Sequence, residues 1–346
     1  MTIALDPVLV TGAAGFIGMH VARRLLQDGH AVVGLDNLND YYDPSLKQAR
    51  LKELAAFAKF QFKKADLADR KMMAELFSDL RFPYVVHLAA QVGVRHSLRD
   101  PHGYIDANLT GFVNILEGCR QTGCRHLVYA SSSSVYGANT RMPLRASDNV
   151  DHPLSLYGAT KKANELMAHA YAHLFAVPAT GLRFFTVYGP WGRPDMAMWL
   201  FTAAIMDGNP VRLFNNGRMR RDFTYIDDVN EAITRLVAQP PVPEPAWSGD
   251  SPDPATSNAP WHIYNVGNSR PVELTDLISL IEQAVGRPAI RKFLPMQPGD
   301  VLETWADCAD LERAVGFRPS TSIEDGVRRF VDWFHEYRRS GRGFAS

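Results

Sequence analysis

Hydrophobic and polar positions alternate in blocks along the first 130 residues of this 346-residue chain. Short runs rich in Val, Ile and Leu are separated by longer segments in which apolar residues recur at helical spacing. The apolar runs predict strands at 8–12, 31–36, 60–67, 84–89 and 126–131, and the periodic segments predict helices at 15–28, 69–80 and about 106–121. Strands that alternate with helices indicate βαβ units, and nearly continuous apolar strands indicate a parallel sheet with both faces buried.

The second half of the chain is patterned less regularly. It predicts helices at 155–177, 273–286 and about 323–338, strands at 180–189, 261–268 and near 289–293, and a strand from 221 that continues as a helix to about 238. Seven of the 22 prolines lie between Pro240 and Pro260, among Ser and Asp residues. Because proline lacks the N–H that helices and central strands need, we expect 240–260 to be an exposed, mobile loop.

The net charge, the first residues and the lengths of the apolar runs argue against several classes of protein. The 37 basic and 37 acidic residues give a net charge of zero, which is atypical of proteins that bind nucleic acids or membrane surfaces. The start of the chain lacks the basic region and cleavage site of a signal peptide. The longest later apolar run, Met196–Met206, is shorter than the roughly 20 residues that span a bilayer. We therefore expect this run to form a helix that packs in the core of a cytoplasmic protein.

Cysteine and histidine indicate no metal site. Cys119, Cys124 and Cys308 are too few for a disulfide scaffold, and no Cys/His group has the spacing of a zinc site. We expect three reduced, buried thiols and no bound metal.

Three glycines, Gly12, Gly15 and Gly18, lie at the turn between the first predicted strand and helix. Glycine permits a tight turn and the close approach of a pyrophosphate, and the helix N-terminus offers free N–H groups to phosphate oxygens. Asp36 ends the second strand, 18 residues after Gly18, where a carboxylate hydrogen-bonds ribose hydroxyls and repels a 2′-phosphate. The pattern predicts dinucleotide binding, with NAD favoured over NADP.

The fold class follows from these elements together. We predict an α/β protein with a doubly wound parallel Rossmann sheet and a smaller mixed α/β C-terminal domain. The NAD-binding domain is placed at 1–184, with 221–238 returning to it, and the substrate domain at 185–346.

Tyr157 and Lys161 are separated by four positions in a predicted helix and therefore project from one face. A phenol with a pKa of about 10 is a poor base at neutral pH. A neighbouring ammonium and the positive nicotinamide ring would lower the pKa of Tyr157. The pair is then suited to removing a hydroxyl proton while hydride leaves the same carbon.

The glycine spacing G-x-x-G-x-x-G and the Tyr157-x-x-x-Lys161 pair resemble the extended short-chain dehydrogenase/reductase family, and the resemblance extends over almost the whole chain. Asp66-Leu67, the segment 87–90 and Asn108 match the family in the same order. The resemblance implies that Ser132 is catalytic beside Tyr157 and Lys161. It implies cofactor contacts from Gly12, Gly15, Phe16, Ile17, Gly18, Asp36, Asp66, Leu67, Ala89 and Lys161. It also implies a homodimer formed through the helices near 106–121 and 155–177.

The two residues before Val135 separate the reactions of related enzymes. Nucleotide-sugar 4,6-dehydratases have Asp-Glu there, and UDP-glucuronate decarboxylases have Glu directly before the Val. This chain has Ser133 and Ser134. The resemblance therefore implies oxidation and re-reduction at sugar C4, which is the reaction of an epimerase.

The segment Thr186–Asp195 closely resembles UDP-glucuronate 4-epimerases, which convert UDP-glucuronate to UDP-galacturonate. The guanidinium of Arg193 suits a sugar carboxylate, although a surface ion pair is an alternative for this residue. Gln297 stands where many relatives have Arg. The implied substrate-binding residues are Arg95, Ser133, Ser134, Thr186, Arg193, Arg221 and Asp300. Two other functions stay open: 4-epimerisation of UDP-glucose or UDP-N-acetylglucosamine, and a catalytically silent NAD-binding regulatory protein.

Overall fold

A seven-stranded parallel sheet forms the centre of the protein in the computed structural model, which describes residues 7–296 and 301–340. The order of its strands is β10-β6-β5-β4-β1-β2-β3, and every neighbouring pair is parallel. The predicted doubly wound sheet is confirmed. Chain order reverses between β1 and β4, the position at which such sheets bind ligands.

The strands are β1 (Val8–Thr11), β2 (Val32–Asp36), β3 (Phe60–Lys64), β4 (Tyr84–His87), β5 (His126–Ser132), β6 (Ala179–Phe184), β7 (Thr186–Tyr188), β8 (Pro210–Leu213), β9 (Arg220–Tyr225), β10 (Trp261–Val266), β11 (Pro271–Glu273), β12 (Ile290–Phe293) and β13 (Glu303–Thr304). The helices are α1 (Phe16–Gln27), α2 (Pro44–Ala55), α3 (Arg70–Leu80), α4 (Pro101–Ile105), α5 (Gly111–Thr122), α6 (Leu156–Phe175), α7 (Ala197–Asp207), α8 (Ile226–Val237), α9 (Leu274–Val285), α10 (Ala309–Val315) and α11 (Ile323–Arg339). A π-helical turn at Asp106–Thr110 joins α4 to α5, and short 3₁₀ turns lie at His96–Leu98, Ser133–Tyr136 and Phe214–Gly217.

Burial explains why the apolar runs form this sheet. Every residue of β1, β2, β4 and β6 is buried, since helices cover both faces of the sheet. The edge strand β3 is only partly buried and carries Lys63 and Lys64. The carboxyl ends of β1, β2, β4 and β5 thus meet at one edge, where the loops that follow them form a cleft.

A smaller set of strands lies beyond this sheet. Strand β9 pairs with β7 and β13 in parallel and with β11 antiparallel, and β8 pairs with β12 in parallel. The strand predicted at 180–189 is therefore two strands, β6 and β7, which separate at Phe185 and enter different sheets. Strand β10 belongs to the central sheet, although the predicted division placed its residues with the substrate domain.

The proline-rich segment is more buried than its composition suggested. Ala255, Ser257 and Ala259 are buried, and the Ala255 carbonyl accepts a hydrogen bond of 2.8 Å from the Ile263 N–H. The Ser257 hydroxyl lies 2.8 Å from the His169 ring on α6. The expectation of a wholly exposed loop is therefore wrong for 255–259, which covers the outer edge of β10 and protects its backbone from other strands.

None of the helices in the described part of the chain is both long enough and apolar enough to cross a membrane.

Candidate functional site

A cavity of about 390 Å³ lies at the carboxyl ends of the central strands. Most of the residues that the sequence selected line it: Gly12, Gly15, Phe16, Ile17, Gly18, Asp36, Asp66, Leu67, Ala89, Ser132, Ser133, Ser134, Tyr157, Lys161, Thr186 and Arg193. Arg95 and Arg221 do not line this cavity. Asp300 and Gln297 lie outside the described residues. The fold thus brings the glycine turn, the Tyr157 helix and the Arg193 segment to one place.

The glycine turn leaves no room for side chains. Gly12 has a φ of +71°, and a Cβ there would lie 2.8 Å from the Ala89 nitrogen. A Cβ on Gly18 would lie 2.0 Å from the Gly12 oxygen. Gly15, which begins helix α1, makes no side-chain capping bond, so the first turn of the helix keeps its N–H groups for an anion. This arrangement fits the pyrophosphate of a dinucleotide.

Two carboxylates border the same end of the cavity. Asp36 is buried and accepts hydrogen bonds from the Ala14 N–H at 3.2 Å and the Leu38 N–H at 2.9 Å. Asp66 accepts from the Asn37 side-chain amide at 3.0 Å. Fixed carboxylates of this kind can accept hydrogen bonds from ribose or adenine and disfavour an added phosphate. These groups fit NAD.

Lys161 and Tyr157 lie on α6, which faces the cavity with its first two turns. The Lys161 ammonium donates a 2.9 Å hydrogen bond to the Ala130 carbonyl, and burial lowers the pKa of this group to about 8. Burial raises the pKa of Tyr157, while a hydrogen bond with the Ser132 hydroxyl and the charge of Arg193 oppose that rise. In the chain alone, desolvation of the phenolate outweighs these two neighbouring groups. The lowering of the Tyr157 pKa beside the nicotinamide ring stays a prediction.

The structure distinguishes the serines after strand β5. The Ser131 hydroxyl donates a 2.6 Å hydrogen bond to the Glu165 carboxylate, away from the phenol. The Ser132 hydroxyl accepts from the Ser134 N–H at 3.1 Å and lies close enough to Tyr157 to oppose the rise that burial causes in the pKa of its phenol. Among neighbouring serines, Ser132 therefore holds the position that the sequence assigned to it beside the phenol.

A buried ion pair joins helix α6, which carries Tyr157 and Lys161, to the central sheet. The Arg183 guanidinium on β6 contacts both carboxylate oxygens of Glu165 on α6, at 2.8 and 2.9 Å. Arg183 also donates to the Ala146 carbonyl at 3.0 Å and lies over the Tyr136 ring. Burial opposes the ionisation of Glu165 and would raise its pKa. The charge and hydrogen bonds of Arg183 outweigh burial, so the pKa of Glu165 lies below its usual value. The pair fixes α6 to the sheet.

The π-helical turn places Asn108 between two parts of the site. Its side-chain amide donates to the Gln91 carbonyl at 3.0 Å and to the Thr160 hydroxyl at 3.1 Å, while its oxygen accepts from the Gln91 N–H at 2.8 Å. The loop after β4 is thereby tied to the start of α6. Asn108, which matches the family motif in the sequence, therefore lies in a π-helical turn. Such turns are frequent at functional sites.

Arg193 forms an ion pair and also lines the cavity. Its guanidinium contacts both oxygens of Asp195, at 3.0 and 2.5 Å, and the Tyr41 hydroxyl donates to Asp195 at 3.1 Å. Although burial acts in the other direction, Asp195 raises the pKa of Arg193, so the guanidinium remains charged. The charge acts on Tyr157 across the cavity. The ion pair that the sequence left open as an alternative therefore exists, but its arginine also lines the cavity.

The two arginines outside the cavity have other contacts. The Arg95 guanidinium lies over the Phe214 ring, with its carbon 5.2 Å from the ring centre. Arg221 donates hydrogen bonds to the Val301 carbonyl at 2.7 Å and the Leu302 carbonyl at 3.1 Å. Arg221 thus holds the chain immediately after the segment 297–300.

Sequence reasoning missed three residues of the site. Tyr41 and Asp195 orient Arg193, and Arg50 holds the backbone of the same segment from the other side. The acid two positions after Arg193 was a usable signal, since Arg-Pro-Asp places opposite charges within reach. Nothing local marks Tyr41 or Arg50 as part of this site, because the contacts that join them to the Arg193 segment span 154 and 141 positions of the chain.

Within the described residues, the carboxylates that line the cavity are those of Asp36 and Asp66, at its glycine-turn end. Around Tyr157 the wall carries hydroxyls instead, from Ser132, Ser133 and Ser134. A proton shuttle for elimination at neighbouring sugar carbons needs a titratable acid or base close to Tyr157. Apart from Tyr157, the neighbouring titratable group is Lys161 on the same helix, and the described wall carries no carboxylate there.

Comparison with known proteins agrees with this geometry. The model of the NAD-dependent epimerase/dehydratase family matches residues 8–247. A probable UDP-glucuronate 4-epimerase of Rhizobium meliloti is 49% identical over 334 residues, which cover 96% of this chain and 98% of that one. The crystal structure of Bacillus cereus UDP-glucuronic acid 4-epimerase with UDP-glucuronic acid and NAD is similar with a TM-score of 0.83 and 31% identity, over 96% of this chain and 99% of that one. The UDP-glucose 4-epimerase of Thermotoga maritima with UDP-glucose is similar with the same TM-score of 0.83 and 28% identity, over 96% and 99% of the two chains.

Proposed function

This chain belongs to the NAD-dependent epimerase/dehydratase family, and from that premise we propose that it is a UDP-glucuronate 4-epimerase, an isomerase that converts UDP-glucuronate to UDP-galacturonate. Because a UDP-glucose 4-epimerase is as similar in fold as a UDP-glucuronate 4-epimerase, the fold alone does not select the sugar. The choice depends on the site.

The observation that carries the proposal is the position of Arg193 on the same cavity as Tyr157. A guanidinium offers five N–H donors in a plane, and Asp195 uses two of its nitrogens. The remaining donors can bind the carboxylate at sugar C5 while Asp195 and Tyr41 fix the plane. A neutral sugar presents a hydroxyl at this point and gains less from a fixed positive charge.

The residues around Tyr157 suit proton transfer at sugar C4. Bound NAD would supply acceptance and return of hydride at that carbon. Tyr157 would take the proton of the C4 hydroxyl and return it later, and Ser132, which lies beside the phenol, would hold the same oxygen by a hydrogen bond. Lys161, four positions along the same helix, would provide a positive charge that favours the phenolate and would also contact the nicotinamide ribose. The keto sugar keeps its carboxylate when Arg193 holds that group in a fixed orientation.

The hydroxyls at 133 and 134 favour epimerisation over elimination or decarboxylation. A dehydratase or a decarboxylase of this family would need an acid at one of these positions, and the described cavity wall near Tyr157 has serine there. With protons exchanged at the C4 oxygen alone, the reaction returns the sugar with inverted C4 and no net redox change.

The cofactor and substrate parts of the proposal follow the fold. Residues 1–184, with 221–238, would hold NAD through the glycine turn, Phe16, Ile17, Asp36, Asp66, Leu67, Ala89 and Lys161. Residues 185–346 would hold the UDP-sugar, with Thr186 and Arg193 at the sugar and Arg221 and Asp300 toward the nucleotide. Arg221 supports this indirectly, since it holds the backbone next to Asp300. From the N-terminal part of the chain, Arg95, Ser133 and Ser134 would lie beside the sugar.

We also propose a homodimer and a cytoplasmic location. Helix α6 exposes Leu166, Leu174 and Phe175, an apolar surface on one of the two helices through which the resemblance implies pairing. Light scattering of the purified protein measures its mass directly. The three cysteines are free and buried, as expected in a reducing compartment.

Turnover of three substrates tests the proposed function. Purified enzyme is incubated with UDP-glucuronate, UDP-glucose and UDP-N-acetylglucosamine, and initial rates are compared. We expect UDP-glucuronate to react fastest. Equal rates with UDP-glucose would contradict the assignment of the uronate, and NAD binding without any epimerisation would favour the silent regulatory protein.

A further inference from the structure

Three consecutive carbonyls in the segment that carries Arg193 are held by two buried side chains from the N-terminal part of the chain. The Pro190 carbonyl lies 3.0 Å from Nε2 of His20. The Trp191 carbonyl accepts from the Arg50 guanidinium at 3.2 and 2.7 Å, and the Gly192 carbonyl accepts from the same guanidinium at 3.1 Å. Both side chains are buried, and that of Arg50 is 0% exposed.

The backbone of this segment needs such support. Trp191 has a φ of +63°, which is an outlier for a bulky residue. Gly189 has a φ of +142°, and a Cβ there would lie 2.5 Å from the Ile226 side chain. Residues in sparsely populated backbone regions persist where the surroundings over-determine them, and they cluster at ligand sites. Arg193 follows directly after this strained turn.

The Arg50 guanidinium also contacts the glycine turn. Its Nη1 donates to the Ala14 carbonyl at 3.0 Å and to the Tyr42 hydroxyl at 2.6 Å. Ala14 lies inside the turn, and its N–H donates to Asp36. One buried side chain therefore joins the turn that faces a dinucleotide pyrophosphate to the segment that presents Arg193.

His20 makes the second attachment from helix α1, which begins at that turn. Burial lowers the pKa of His20 to about 3, so the ring is neutral at physiological pH. Its Nδ1 accepts a hydrogen bond of 3.2 Å from Arg23, and its Nε2 therefore carries the proton that is donated to Pro190. Both attachments come from elements that a bound dinucleotide would contact.

We infer that Arg50 is a positioning residue that couples occupation of the dinucleotide site to the placement of Arg193, and so contributes to selection of the sugar carboxylate. The part concerning the sugar rests on the proposed function. A dinucleotide that fixes Ala14 would fix the Arg50 guanidinium and with it the Trp191 and Gly192 carbonyls. By linkage, a ligand that fixes Arg193 would strengthen dinucleotide binding to the same degree.

The substitution Arg50→Lys tests the coupling while it keeps the positive charge at this position. Lysine keeps a positive charge in the same space but has a single nitrogen, which cannot reach the carbonyls of both segments as the guanidinium fork does. Arg24→Lys is the matched control, since Arg24 lies on α1 and pairs with Asp28 and Glu231, away from the Arg193 segment. His20→Leu removes the second attachment and serves as a further variant in case Arg50→Lys folds poorly.

Amide hydrogen exchange of the segment 189–196 tests the coupling without any turnover. Protein stripped of dinucleotide is compared with the same protein reloaded with NAD. In the wild type and in Arg24→Lys we expect NAD to slow exchange by about fivefold or more, the lower end of typical coupling between sites. In Arg50→Lys the NAD effect should vanish, and in His20→Leu it should be reduced. NAD protection of equal size in all four proteins would overturn the inference.

Binding by calorimetry tests the consequence for the sugar. Measurements use NAD-loaded Tyr157→Phe protein, so that bound substrate does not react, with and without Arg50→Lys. We expect Arg50→Lys to raise the Kd for UDP-glucuronate about tenfold, which is within the typical range of coupling between two sites, and to leave the Kd for UDP within about twofold. An equal loss for both ligands would overturn the positioning role. If the parent protein binds UDP-glucuronate no better than UDP-glucose, the proposed function fails, while the exchange experiment still decides the coupling.

Discussion

The guanidinium of Arg193 and the carboxylate of Asp195 form a two-point ion pair, with nitrogen–oxygen distances of 3.0 and 2.5 Å. Arg193 lines the cavity that also contains Tyr157, and Tyr41 adds a hydrogen bond to the Asp195 carboxylate. The Arg193 guanidinium therefore has a fixed orientation on the side where we propose that the sugar carboxylate binds. This relationship makes the positive charge part of the site before any ligand is bound.

Replacing Arg193 by lysine should separate substrate binding from cofactor binding. Lysine cannot keep Asp195 by two contacts and still bind a second carboxylate with fixed geometry. Loss of a hydrogen bond to a charged group costs about 1.5–3 kcal/mol, so we expect kcat/KM for UDP-glucuronate to fall about tenfold to a hundredfold. The amount of NAD that copurifies should not change. Arg120→Lys, at a surface ion pair, is the control and should have wild-type kcat/KM.

Removing the Tyr157 hydroxyl should abolish most of the chemistry and little of the binding. General acid–base groups contribute about 10²–10⁴-fold, and we expect Tyr157→Phe to lower kcat by an amount in this range. The melting temperature should stay close to that of the wild type, because the ring remains. Tyr171→Phe makes the same change on the same helix, at a residue that contacts Glu117, and should keep full kcat. Unchanged epimerisation by Tyr157→Phe would remove this residue from the reaction.

Lys161 should make stability depend on alkaline pH. Burial lowers the pKa of its ammonium from the usual 10.5 to about 8, so the folded chain binds fewer protons than the unfolded chain between these values. The free energy of unfolding contributed by Lys161 therefore rises as pH increases through this window. Relative to Lys161→Met, the ligand-free wild type should gain about 3 kcal/mol between pH 8 and pH 10.5 and show a constant difference below pH 8. Urea unfolding of both proteins across this range measures it; a difference that does not vary with pH would refute the prediction.

The Glu165–Arg183 pair should be worth far more to stability than a surface pair. Both side chains are almost fully buried, at 1% and 0% exposure, and Glu165→Gln would leave the Arg183 charge without its counter-ion. Removing one partner of a buried pair costs about 3–5 kcal/mol. Glu117→Gln breaks the exposed pair with Arg120 and should cost at most about 1 kcal/mol. Urea unfolding compares the two variants, and equal losses would show that burial does not set the value of the pair.

The central sheet could be predicted from the sequence because both of its faces are buried. Residues 8–11 and 84–87 are apolar or become buried throughout, and such runs have few alternatives to a parallel strand. Helix α2 was not predicted: its amphipathic pattern is weak, and Lys47 and Arg50 occupy buried positions that sequence reasoning assigns to apolar residues. The break at Phe185 was also missed, since both halves of 180–189 have the composition of a strand.

The residues with a chemical role in the site were easier to predict than the residues that hold them in place. Gly12, Tyr157 and Lys161 lie in motifs whose spacing is local. The contact of Arg50 with Trp191 spans 141 positions of the chain, and a buried arginine is explained only by the carbonyls that meet it in three dimensions. The resemblance already selected Ser132, but the contact of the neighbouring Ser131 with Glu165 could not be read from the sequence.

The product formed from UDP-glucuronate tests the central claim most directly. Purified enzyme is incubated with UDP-glucuronate, and the product is identified by NMR from the couplings of the sugar protons around C4. We predict UDP-galacturonate, with the carboxylate retained and C4 inverted. A UDP-pentose, or unchanged UDP-glucuronate in protein that carries NAD, would contradict the assignment.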